Sequence, residues 1–146
     1  MIEQLANFLE TNGVGTIGKD IFKAHAPDSK VNCILITDTG GEQADQNVPL
    51  DNPTVQIMIR ADISSGGYKK AMDKAKEIYA LLDKKQNITI GNLHALYSRA
   101  LQRPFSLGLV VEKIRSGRKG RGEEYSERKV WKVTTNYIFH IRGEIT

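Results

Sequence analysis

Between Asn52 and Leu82 the spacing of apolar residues changes once. Val55, Ile57, Ile59 and Ala61 alternate with Thr54, Gln56, Met58 and Arg60. A period of two predicts a strand over 54–61. After Ser64-Ser65-Gly66-Gly67 the period lengthens. Tyr68, Met72, Ala75, Tyr79 and Leu82 then follow at helical spacing, while Lys69, Lys70, Lys74 and Lys76 point elsewhere. That spacing predicts a helix over 67–85 with one apolar face. Lys84 and Lys85 suit the negative end of its dipole, and Asn87 suits a left-handed cap. A strand and an amphipathic helix joined by a tight turn make a packing unit, and no catalytic group is needed to explain it.

The same patterns continue on either side. Ile2, Leu5, Ala6 and Leu9 have helical spacing, and Asn12-Gly13 stops the helix they predict over 2–11. Ile17–Ala24 reads as a moderately alternating strand, ended by Pro27-Asp28. Val31–Thr37 is an apolar run rich in β-branched residues, as in a buried strand. Residues 40–49 are polar and aperiodic, a loop. Gly91-Asn92, flanked by Ile88-Thr89-Ile90 and Leu93, signals a tight hairpin. Strands are expected over 93–101 and 105–114, and a flexible, glycine- and charge-rich loop over 115–129. The last strand is expected over 130–142, with Trp131, Val133, Thr135, Tyr137, Phe139 and Ile141 on one face. The expected fold is α+β: a mostly antiparallel sheet packed on one face by two helices, with a hairpin and a long basic loop before the last strand.

At 146 residues the chain is expected to form a single domain over 1–146. A chain of this size buries roughly 68–70% of its unfolded surface, so its core suffices without disulfides. The lone Cys33 suits a reducing compartment. Glu3 and Glu10 interrupt the amino-terminal segment, which does not read as a signal peptide, and no apolar run approaches a membrane span. The charge is polarised along the chain. Residues 1–62 carry four Lys/Arg against nine Asp/Glu, and residues 63–146 carry seventeen against eight. Opposite fields of this kind suit head-to-tail contacts between copies.

Few residues suggest chemistry. Gly13-Val-Gly15-Thr-Ile-Gly18 matches a dinucleotide fingerprint by letter. That mechanism needs a preceding strand and a following helix, whereas here a helix precedes and a strand-like segment follows, so the segment reads as a connector. His25, His94 and His140 lack partners at metal-ligand spacing. Cys33 sits among Ile34, Leu35 and Ile36, as a core thiol does. No catalytic residue, metal site or cofactor is expected. The basic stretch holding Lys113, Arg115, Arg118, Lys119 and Arg121 is the strongest candidate for docking a partner. Three readings fit it: a solvated hairpin loop, a protein-docking loop, or a phosphate contact. Glu123, Glu124 and Glu127 dilute its field, and Tyr125 alone supplies no stacking platform. Glu42 and Asp45, in the acidic loop, are the matching candidates of opposite sign.

Residues 48–60 (Val-Pro-Leu-Asp-Asn-Pro-Thr-Val-Gln-Ile-Met-Ile-Arg), with Tyr68, Ala71, Ala75, Ile78, Tyr79, Leu81 and Leu82, resemble the minor capsid or tail terminator proteins of tailed bacteriophages and prophages. Those proteins show a proline-containing strand followed by a tyrosine- and alanine-rich helix. Arg103-Pro104-Phe105-Ser-Leu-Gly108 is similar to a later segment of the family, and Trp131-x-Val-x-Thr-x-Asn136-Tyr137-x-Phe139 to its last strand. In relatives a short turn joins those two segments. Here about twenty residues intervene, so no contacts are carried over to 109–129. The resemblance implies a noncatalytic structural protein of the virion, made in the host bacterial cytoplasm. Such a subunit forms a hexameric ring that caps the tail tube at its head-proximal end and mediates head–tail joining. Its partners would be its own copies, the major tail tube protein and a head-completion or connector protein, with no membrane. The alternatives are a neck or head-completion subunit, or a small nucleic-acid-binding module using the basic loop at 113–121.

Overall fold

The computed structural model describes residues 1–27, 29–42, 50–64, 66–116 and 124–142. Its elements run α1 (Ile2–Thr11), β1 (Ile21–Lys23), β2 (Cys33–Asp38), β3 (Leu50–Asp51), β4 (Thr54–Asp62), α2 (Gly67–Leu82), β5 (Lys85–Ile90), β6 (Leu93–Ala100), β7 (Phe105–Ser116) and β8 (Glu124–Arg142). The strands make one mixed sheet in the order β1-β2-β4-β8-β6-β5, with β3 and β7 also paired to β8. All pairings are antiparallel except β1–β2. This is the expected α+β architecture.

β8 is the beam of the sheet. One edge pairs with β4 over Val130–Ile138 and with β3 at Ile141 and Arg142. The other edge pairs with β6 near the carboxyl end and with β7 over Glu124–Thr134. The predicted alternation holds: Val55, Ile57, Ile59 and Ala61 are buried in one core with Val133, Tyr137, Phe139 and Ile141. Leu5, Ala6 and Leu9 of α1 and Ala71, Ala75, Ile78 and Leu82 of α2 enter the same core. Both helices therefore cover one face of the sheet.

Several expectations are corrected in detail. The buried side of α2 is Gly67, Ala71, Ala75, Ile78 and Leu82, rotated from the face through Tyr68, Met72 and Tyr79. Small side chains at 67, 71 and 75 bring the helix close to the sheet. A Cβ on Gly67 would stand 2.0 Å from the Asp62 carbonyl oxygen. Tyr68 is left at the rim, edge-on to Trp131 with ring centroids 5.2 Å apart. The helix stops at Leu82 because Asp83 is extended (φ −80°, ψ 133°) and Lys84 is left-handed (φ 53°). Lys84 and Lys85 thus lead into the β5–β6 hairpin, and Asn87, although left-handed, lies within β5 and caps no helix. The hairpin turn is as expected, with Gly91 at φ 61° between paired Ile90 and Leu93.

The strand expected over 17–24 shrinks to Ile21–Lys23, and Ile17 contributes only an isolated bridge to Ile21. A short β3 at Leu50–Asp51 appears in a stretch for which the sequence predicted no element. The largest correction concerns the supposed loop at 115–129. β7 runs on to Ser116 and β8 begins at Glu124. Most of that segment is paired strand, and residues 117–123 lie outside the described residues.

Candidate functional site

The last pair that β4 makes with β8 is Asp62 with Val130. Amino-terminal to that point β8 has only β7 beside it among the described residues. Residues 111–116 and 124–129 therefore form a two-stranded arm, about 20 Å long at the usual strand rise. Six consecutive pairs, from Val111 with Lys129 to Ser116 with Glu124, hold it in register.

The arm's root carries charge on the sheet face away from the helices. Glu112, opposite Arg128 in register, accepts from three cations. Arg128 Nη2 and Nε lie 3.0 and 3.1 Å from Oε2. Lys132 Nζ lies 3.0 Å and Arg60 Nη1 3.5 Å from Oε1. All four side chains are only 14–20% exposed, so the cluster is largely screened from water. Burial alone would raise the Glu112 carboxyl. The hydrogen bonds from Lys132 and Arg128 and the charge of Arg60 outweigh it and hold the carboxyl below its ordinary value of 4.5. Arg60 does more than neutralise. Its Nε donates to the Val31 carbonyl at 3.3 Å, and its Nη2 donates to the carbonyls of Pro27 (3.4 Å) and Lys30. One guanidinium thus ties the segment before β2 to the root of the arm.

At the arm's root the helix-side face carries an apolar stripe. Leu109 stands opposite Trp131, and Val111 opposite Lys129. With Leu107, bulged at the shift between Ser106 and Gly108, they are 47%, 48% and 53% exposed in the order Leu107, Leu109, Val111. Tyr68 and Trp131 continue the stripe toward α2.

Of the docking residues singled out from the sequence, Glu42, Lys113 and Arg115 are among the described residues. Lys113 is exposed on the arm, opposite Glu127. Arg115 lies in β7 opposite Tyr125. Arg118, Lys119, Arg121 and Asp45 lie outside the described residues. Glu42 is exposed and bridges to Asn52, near the end of the sheet where β3 meets Ile141 and Arg142. Among the described candidates, the acidic Glu42 is therefore not brought to the basic Lys113 and Arg115 but sits toward the opposite end of β8. The Glu112 cluster and the Leu107–Leu109–Val111 stripe escaped the sequence reading. A lone glutamate inside an apolar strand, with Arg60, Arg128 and Lys132 at like-facing positions of neighbouring strands, was the available signal.

Two cavities adjoin these elements. One, about 340 Å³, lies beside the cluster and is lined by His25, Arg60, Glu112 and Lys113 with apolar neighbours. The other, about 310 Å³, runs between α2 and strands β2 and β4, with Cys33, Asp20 and Lys74 in its wall. Burial pushes the Cys33 thiol up, only partly offset by the charge of Arg60, so the sulfur stays protonated and a poor nucleophile near neutral pH. His140 is held by Asn52 Oδ1, 2.6 Å from its Nδ1, and stacks on Tyr97. Among the described residues no cluster of His, Cys, Asp and Glu could hold a metal ion, and no helix is long and apolar enough to cross a membrane.

Comparison with known proteins places the chain in a family. No curated protein matches the chain. One solved structure, which carries no functional name, is similar at 12% sequence identity and a TM-score of 0.47, over 99% of this chain and 92% of that one; a likeness at that level carries no argument. A family model described as bacteriophage tail terminator protein matches residues 8–136, which takes in the end of α1, all of α2, β1 to β7 and most of β8. The chain belongs to the bacteriophage tail terminator protein family.

Proposed function

We propose that this chain caps the tail tube at its head-proximal end as a hexameric ring, stops tube growth and offers a face for head–tail joining. Its partners in this reading are its own copies, the major tail tube protein and a head-completion or connector protein. It works through shape and charge at its faces and performs no reaction. Its place is the tail–head junction of the virion.

The observation that carries this reading is the separation of charge along one strand. A closed ring needs heterologous contacts, two different patches per subunit. Residues 31–59 hold four Asp/Glu and no Lys/Arg, whereas residues 113–129 hold seven Lys/Arg against three Asp/Glu. β8 is 19 residues long, roughly 60 Å at the usual rise per residue. Among the described residues, Asp38 and Glu42 lie level with Tyr137 and His140 of β8, and Lys113 with Glu127, roughly 30–45 Å apart along the strand. Such groups cannot meet within a subunit but can meet between subunits, where complementary fields also speed docking.

Electron microscopy of tails assembled with and without this protein tests the reading. Overlong tubes in its absence, and a density cap at the head-proximal end in its presence, are expected. Tails of normal length without it would remove the proposal.

A further inference from the structure

The free edges of this sheet are not equally guarded. β1 is three residues long. β5 exposes Lys85, Gln86 and Asn87, the last in a left-handed conformation. Shortness, lysine and irregular backbone are the usual ways in which proteins keep edge strands from pairing with other chains. β7 uses them only in part, in the exposed Lys113 and a bulge near its start. It is twelve residues long, and Gly108–Ser116 pair with β8 in unbroken register. Its second edge has no partner among the described residues, and the side chains beside that edge are Leu109 and Val111. A long, regular, apolar edge left open is a template for another strand.

We infer that the open edge of β7 and its apolar stripe are covered by a second copy of this chain, whose acidic end faces the arm. This rests on the ring reading above and names the contact that would build it. Charge selects the occupant. Lys113 and Lys129 flank the stripe and are exposed, and Asp38 and Glu42 are exposed near the far end of β8. Each subunit thus carries both halves of one contact, and the two halves are too far apart to satisfy each other internally.

The test measures the mass of the purified protein in solution and backbone hydrogen exchange across β7, at low and physiological salt. Wild-type protein is expected to form oligomers, with the amides of 108–113 protected on assembly. Val111→Lys should weaken association at least about tenfold by burying a charge in the contact, and its unchanged circular dichroism and melting would show that the monomer is intact. Lys113→Glu and Glu42→Lys should each weaken association, and an equimolar mixture of the two should restore it, because every contact then again pairs opposite charges. Oligomers that survive Val111→Lys, with β7 amides still exchanging freely, would overturn this contact while leaving the ring standing. A wild-type monomer at every concentration would overturn self-docking itself, and overlong tails in the microscopy assay would still support the terminator role.

Discussion

Replacing Glu112 by Gln keeps the shape of the side chain and one oxygen acceptor but removes the only anion of the Arg60–Glu112–Arg128–Lys132 cluster. An ion pair near a protein surface is worth about 4 kcal/mol of attraction at 4 Å with an effective dielectric of 20. Desolvation takes back most of such a gain, so the net worth of the pairs is small, yet removing one partner of a buried pair costs about 3–5 kcal/mol because charge is left uncompensated. Here three cations lose their shared anion. Their 14–20% residual exposure lets some water return, which points to the lower end, about 3 kcal/mol. For a chain of this size that corresponds to roughly 6–12 °C in melting temperature. Lys132→Met should cost far less, because Arg60 and Arg128 still hold the carboxylate. The effect also has a pH signature. The carboxyl sits below its ordinary value of 4.5 in the folded chain, so its contribution is fully present above 4.5 and is lost as pH falls through the lower folded value. Urea unfolding of wild type and Glu112→Gln at pH 7 and pH 3 measures both. A difference below about 1 kcal/mol at pH 7, the range of exposed pairs, or one that does not shrink on acidification, would refute this account.

Three further outcomes follow from single contacts. Ser98 is fully buried and donates to the Leu82 carbonyl at 2.6 Å; Ser98→Ala should leave that carbonyl at the end of α2 unpaired and cost about 1–3 kcal/mol in urea unfolding. Gly67→Ala must displace either the helix or the Asp62 carbonyl, and a loss of about 1–3 kcal/mol with altered Trp131 fluorescence is expected. Cys33 is buried with a raised thiol, so a thiol reagent at pH 8 should label it slowly in native protein and rapidly in urea; fast native labelling would contradict the packing.

Local patterns carried most of this fold. The period-two run in β4 and the alternation in β8 predict strands because one face of each is covered by helices, and the Gly91-Asn92 signal predicts its turn because the backbone there requires a positive φ. The errors have a common cause. Both faces of α2 look plausible from spacing alone, since Tyr68–Met72–Tyr79 and Ala71–Ala75–Ile78 are each helical stripes. Close approach to the sheet, which only small residues permit, decides between them. Glycine and charge made 115–129 look like loop, whereas β pairing tolerates exposed charges when both faces of a two-stranded ribbon meet solvent. The Glu112 cluster was invisible because its members come from β4, β7 and β8, and only the register brings them together.

The cluster and the arm have to be understood together. An isolated two-stranded hairpin is marginal in water, and the outer part of this one has neither a helix over it nor a third strand beside it among the described residues. Its direction is therefore set at the root, where Glu112 and Arg128 on the two arm strands are clamped to Arg60 of β4, and Arg60 in turn to the Pro27–Val31 backbone. A buried ionic network adds little to stability but demands one geometry, which is what an arm presented to a neighbour requires. Strand pairing along β7 can then supply the order that the free arm lacks, so that stability missing from the monomer is gained at assembly. On this logic Glu112→Gln should loosen association even under conditions where the body of the domain stays folded, by letting the arm point in many directions, and it should do so while Lys113, Lys129 and the apolar stripe are all still in place.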